Sequence, residues 1–350
     1  MAAPEIARFR RRAHVALFDA TTLAAKGVKD ELVARSFPTA SVRMFTSSTD
    51  PECNLTEFAG EPMLLAPPDF DSLGSLDLAF LCGTRQEGER YLDWPGRAGF
   101  VAIDLTGASV GAAVGAGEVP LVNASVNPEA IPPGPGVVGS PHAVAQMLST
   151  LLAPVRRHCG LKEALIVVLQ PASARGQEGI DELYRQSISL MNFQEMPKEV
   201  FGRQLAFNLV PGWLAEETKS AAATRADLER QVLRVTGGGY GLALQVIDAP
   251  VFHGHAVMAH LALREGKGSE DLLASFREMD DVSIGRRGDA LTPVERAGDG
   301  QLLVAGVQPG LHPSSFWVWA VADDLAGGRS RNAVRIAEAI LERGPGRART

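Results

Sequence analysis

Short apolar runs alternate with stretches of helical periodicity through the first part of this chain. His14-Val15-Ala16-Leu17-Phe18 reads as a buried strand. Thr22 to Arg35 follows with Leu23, Val28, Leu32 and Val33 at helix-like spacing, and Phe37-Pro38 ends it. Val42 to Phe45, Leu76 to Leu81 and Phe100 to Ile103 are further strand candidates, and Gln86 to Gly99 predicts a helix interrupted at Trp94-Pro95-Gly96. Such alternation predicts an α/β fold with a parallel sheet and crossover helices, a Rossmann-type nucleotide-binding architecture.

The Pro/Gly-rich run Ile131 to Gly136 breaks regular structure, and a domain boundary is expected just after it. The pattern beyond it holds both helices and strands. Ala143 to His158, Gly179 to Met191 and Thr224 to Val235 read as helices, and Ala164 to Leu169, Leu242 to Ile247 and Ala256 to Leu263 as strands. Ser330 to Glu342 is a closing helix with Ser330 as its expected N-cap, and Gly344 to Thr350 reads as a disordered tail.

Composition narrows the class. With 350 residues, 45% of them hydrophobic, the chain has room for two cored domains. A net charge of −7 argues against nucleic acid as a main partner, and Arg8 with Arg10 to Arg12 reads as a solvated arm. No apolar run approaches the roughly 20 residues that span a bilayer, so no membrane is expected. Cys53, Cys82 and Cys159 are odd in number and widely spaced, as suits reduced thiols in a cytoplasmic protein.

Candidate chemistry is sparse. The first strand-to-helix turn, Asp19 to Ala25, has no glycine until Gly27, which weakens a phosphate-binding reading; Asp19 is expected to cap the helix. Gly111 to Gly117 and Gly237 to Gly241 read as turns. His253 and His255 are expected to share a strand face, but no carboxylate is spaced to complete a site, so no metal is expected.

Several segments in order resemble the aspartate-semialdehyde dehydrogenase family. They include Val101-Ala102-Ile103-Asp104, Val126-Asn127-Pro128-Glu129, Gln170 with Ser173 and Gly176 to Leu183, Ala206-Phe207-Asn208, Pro250 to His255, and Trp317 to Leu325 with Asn332-Ala333-Val334. Phe201 to Asn208 and Ala249 to Phe252 resemble its Usg-like paralogue branch in particular. The resemblance implies a Rossmann-type NAD(P)-binding domain over residues 1–139, completed by 330–343, and an α+β dimerisation domain over 140–329. It implies a homodimer, NADP or NAD as cofactor, His255 and Gln170 as catalytic residues, and Thr21, Thr22, Gly83, Ser173 and Gly176 as cofactor contacts.

The same resemblance sets the family's nucleophilic cysteine on Ala143, within Ser140-Pro141-His142-Ala143, and its substrate-binding arginine on Asp248. A methyl group forms no thiohemiacetal, and an aspartate would repel a substrate carboxylate. Ser140 and His142 are weak candidates to take over, and Cys82 and Cys159 are poorly placed. The expectation is a binding or regulatory homodimer without the family reaction. The alternatives are an NAD(P)-dependent oxidoreductase for another carbonyl substrate, with His255 as proton donor, and a subunit that pairs with an active paralogue.

Overall fold

The structure, a computed structural model, describes residues 11–48, 54–114, 117–213, 224–286, 291–296, 300–323 and 328–343. Cys53, Arg8, Arg10 and the tail from Gly344 lie outside them. The chain divides into two compact units, one comprising Met1–Pro141 with Arg329–Thr350, the other His142–Gly328.

In the first unit, strand β1 (Ala13–Phe18) leads into helix α1 (Leu23–Ala34) and β2 (Thr39–Met44); a hairpin of β3 (Leu55–Phe58) and β4 (Glu61–Leu64) follows. Then come β5 (Leu78–Leu81), the short helices α2 (Arg85–Glu89) and α3 (Trp94–Ala98), β6 (Val101–Asp104), a small hairpin of β7 (Ala113–Val114) and β8 (Gly117–Glu118), and β9 (Gly136–Gly139). Five strands form a parallel sheet in the order β2-β1-β5-β6-β9. Alternate residues feed two cores, as a sheet buried on both faces requires. Val15, Leu17, Phe80 and Ile103 pack with Val28 and Leu32 of α1 and with Val334 and Ile336 of the C-terminal helix, Arg329–Arg343. Ala16, Phe18, Ala79 and Ala102 pack with Leu73 and Tyr91 on the other face.

Two local expectations change. Trp94-Pro95 starts α3 instead of interrupting a longer helix, because proline suits a first turn whose N–H groups have no helical partner. Ser330 lies within the C-terminal helix and its hydroxyl donates to the Ala24 carbonyl at 3.4 Å, so it is not the N-cap.

The second unit opens with α4 (Ala143–Cys159), then β10 (Glu163–Gln170), α5 (Gly176–Met191), β11 (Val210–Pro211), α6 (Arg225–Thr236), β12 (Gly241–Asp248) and β13 (His255–Ala262). It closes with α7 (Ser269–Arg277), β14 (Val282–Ile284), β15 (Leu302–Pro309) and β16 (Ser315–Ala322). The mixed sheet runs β11-β12-β10-β13-β16-β15-β14. Period-2 patterning sorts its faces: Ala164, Ile166, Val168, Val257, Ala259, Val318 and Ala320 are buried, whereas Leu165, Met258 and Trp317 are each about two-fifths exposed. Helix α4 ends at Gly160, whose φ of 64° is the left-handed conformation that glycine adopts without a Cβ penalty. Gly111 lies in a turn before β7, and Gly237 to Gly239 form a turn with positive φ throughout. Strand β13 begins only at His255, so His253 precedes it and the two histidines share no strand face.

Candidate functional site

Four residues line up at one end of the second sheet because of its register. Gln170 pairs with Asp248 across β10 and β12, and His255 pairs with Ala322 across β13 and β16. The β10–β13 register puts Leu169 opposite Ala256, which sets Gln170 beside His255. Their side chains share the face that carries Val168, Val257 and Ala320.

His255 is buried at 2% exposure and helps to line a cavity of about 50 Å³. Ala143, Gln146 and Thr150 of α4 form one wall, and Ala322 and Asp323 another. That volume admits a few waters or a small polar group, since one water needs roughly 10–15 Å³ measured this way. Ala143 is the first residue of α4, and His142 caps the helix, accepting the Val144 N–H on Nδ1 at 3.3 Å. The structure thus brings Ala143 and His255 to one cavity, where imidazole chemistry allows proton transfer or hydrogen bonding to a ligand.

Gln170 is drawn elsewhere. Its Nε2 donates to Asp248 Oδ1 at 3.0 Å, and Arg175 Nη2 lies 3.2 Å from Asp248 Oδ2. Asp248 is 3% exposed. The expectation that Asp248 presents a bare repelling charge is therefore overturned, because a guanidinium from the turn before α5 neutralises it. No lysine or arginine stands among the described residues of the cavity wall. Sequence reasoning missed Arg175; its signal was a cation set between Ser173 and Gly176, inside a small-residue turn.

The other family-matched residues sit in their respective units. Ser173 is buried in the short 3-10 turn before α5, and Gly176 begins that helix. Thr21 is exposed, and Thr22 is the N-cap of α1, accepting the Ala25 N–H at 3.2 Å. This corrects the assignment of the cap to Asp19. Ser140 is committed to structure, accepting from Asn332 Nδ2 at 2.9 Å. Cys82 and Cys159 are buried, and burial pushes both thiols up, away from the reactive thiolate. Among the described residues no three potential metal ligands gather, and no helix is long and apolar enough to cross a membrane.

Asp19 instead meets a second carboxylate. It follows β1 with a φ of 57°, the left-handed turn conformation. Its Oδ1 accepts from the Ser47 backbone N–H at 2.9 Å and from the Ser47 hydroxyl at 2.6 Å. The same Ser47 Oγ lies 2.7 Å from Glu87 Oε1. One hydroxyl proton cannot serve both carboxylates at once. Burial raises the Asp19 carboxyl despite the Ser47 bonds, and the neighbouring Glu87 charge adds to the rise. Burial also acts upward on Glu87, but bonds from Thr84 and Ser47, with Arg90 nearby, outweigh it and hold that carboxyl below its usual range. A Cβ on Gly83 would collide with Asp19 Oδ2 and come within 2.6 Å of Glu87 Oε2.

These residues do not fit the dinucleotide that the resemblance implies. A pyrophosphate needs backbone N–H groups and a permissive turn, whereas Asp19 in this turn and Glu87 from the start of α2 bring two carboxyl groups together here. Each unit-charge pair at 4 Å and an effective dielectric near 20 would repel by about 4 kcal/mol. Thr84-x-x-Glu87 is a capping box that the sequence already displayed, and it anchored Glu87 at the start of α2.

Comparison with known proteins accords with this architecture. The semialdehyde dehydrogenase dimerisation domain is matched over residues 152–326. The chain is 26% identical over 340 residues to aspartate-semialdehyde dehydrogenase 2 of Vibrio cholerae, covering 94% of this chain and 97% of that protein. It is 28% identical over 338 residues to the USG-1 protein homolog of Pseudomonas aeruginosa, covering 94% and 98%. A solved structure of a probable aspartate-semialdehyde dehydrogenase from Pseudomonas aeruginosa superposes with a TM-score of 0.83 at 27% identity, covering 95% and 99%. The Candida albicans enzyme solved with NADP shares the fold at a TM-score of 0.69 and 14% identity, covering 95% and 99%. With half its length in the dimerisation domain and homologues aligned nearly end to end, this chain belongs to the semialdehyde dehydrogenase family.

Proposed function

We propose that the protein is a homodimer that has given up thiol-dependent semialdehyde dehydrogenation and serves a binding or regulatory role. The observation that carries this reading is Ala143 at the first position of α4, sharing a cavity with His255. A thiolate there would profit from the helix dipole and an adjacent acid/base; a methyl group offers no electron pair. The family's substrate arginine is absent from this wall, and Arg175 is already paired with Asp248. Retention of His255 in an open cavity supports binding of a small polar ligand by hydrogen bonding.

The exposed sheet face supports the dimer. Leu165, His260 and Trp317 stand in register across β10, β13 and β16, and the His260 and Trp317 rings are 4.9 Å apart. Such a row, a leucine and a tryptophan flanking an imidazole, suits a self-complementary interface. The deciding assay is phosphate-dependent NADP reduction with aspartate semialdehyde. Background-level rates are expected, and clear enzyme-dependent turnover would sink the proposal. Co-purification of a second, cysteine-bearing chain would replace the homodimer with a mixed assembly.

A further inference from the structure

Doubly wound sheets bind ligands outside the carboxyl ends of their strands, where the strand order reverses direction. Here the chain goes from β1 outward to β2 and then returns to the other side of β1 at β5. The reversal therefore lies between β1 and β5; Asp19 directly follows β1, and Gly83 lies two residues past the end of β5. Gly83 has no side chain to fill the notch, and the oxygens nearest to its missing Cβ belong to Asp19 and Glu87.

Neither carboxyl group can swing aside freely. Asp19 would give up the Ser47 backbone N–H, Glu87 would give up the Thr84 N–H that closes the α2 capping box, and one of the two would also give up the Ser47 hydroxyl they share. Asp19 itself occupies a left-handed conformation that glycine adopts freely.

We propose that Asp19 and Glu87 form an electrostatic bar that excludes dinucleotide phosphates from this crevice, so that the chain binds no nicotinamide cofactor and its His255 cavity acts without hydride transfer. The inference rests on the first unit alone and does not depend on the reading of Ala143.

The test is a titration of the full-length protein with NADPH in the absence of substrate, followed by fluorescence and calorimetry. The wild-type protein is expected to show no saturation into the millimolar range, and any residual binding should strengthen with added salt, because screening relieves repulsion. Asp19→Asn with Glu87→Gln should bring saturable binding, at least about tenfold tighter than wild type. Asp19→Gly provides a second variant suited to the positive φ, should the double variant fold poorly. Saturable micromolar binding by the wild type would overturn the proposal, as would folded neutral variants that bind no better. Cofactor binding without turnover would defeat this inference alone; the semialdehyde assay separately judges the loss of the thiol reaction.

Discussion

At the scale of single residues, Ala143 and Asp248, the two positions proposed to depart from the family pattern, sit in different surroundings. Ala143 leaves an open cavity, so Ala143→Cys is expected to create the most readily alkylated thiol among the described positions. Mass spectrometry after brief iodoacetamide treatment should find it modified while Cys82 and Cys159, both buried, remain protected. NADP reduction should remain at background, since the crevice past β1 and β5 is unchanged. Asp248 is instead compensated, by Arg175 and Gln170. Removing the cation by Arg175→Ala leaves a buried carboxylate unmatched, and a loss of about 3 kcal/mol in urea denaturation is expected. The sequence shows the alanine and the aspartate plainly. It did not show that Asp248 is neutralised, because the partner lies 73 positions away and only the β10–β12 register brings the two together.

At the scale of elements, the strands and long helices were legible because their periodicity is local. The sequence also carried Thr224-x-x-Asp227, a capping box at the start of α6, in which Thr224 accepts the Asp227 N–H at 3.2 Å. Thr224→Ala should cost about 1 kcal/mol, measured by thermal unfolding. Burial pushes the Asp227 carboxyl up, but the Thr224 bonds and Arg230 outweigh it and hold it below 3.8. A depressed folded-state value means that this contribution is fully present above pH 3.8 and is lost as the pH falls through the lowered value. The penalty of Thr224→Ala should accordingly shrink in acid. Other starts and breaks misled. Ser330 had the composition of a cap without the position, and Pro95 began a helix that it was expected to break. Both depend on where neighbouring elements let the chain turn, which composition does not encode.

At the scale of the whole molecule, the open face of the second sheet is expected to make the dimer. Trp317→Asp sets a charge in the Leu165–His260–Trp317 row and should shift sedimentation from dimer to monomer with the far-ultraviolet dichroism unchanged; an unaltered dimer would place the interface elsewhere. The sequence by itself determined the α/β class, the succession of strands and helices, the ordered family segments and the absence of a thiol at Ala143, because each is written in composition or short-range spacing. Only the tertiary structure decided that Ala143 and His255 share one cavity, that Arg175 quenches Asp248, and that Asp19 faces Glu87 instead of capping α1. The Asp19–Glu87 pair depends on residues drawn from three separate loops. Parallel pairing of β1 with β2 and β5 carries those strand ends to one edge of the sheet, a proximity no linear pattern records.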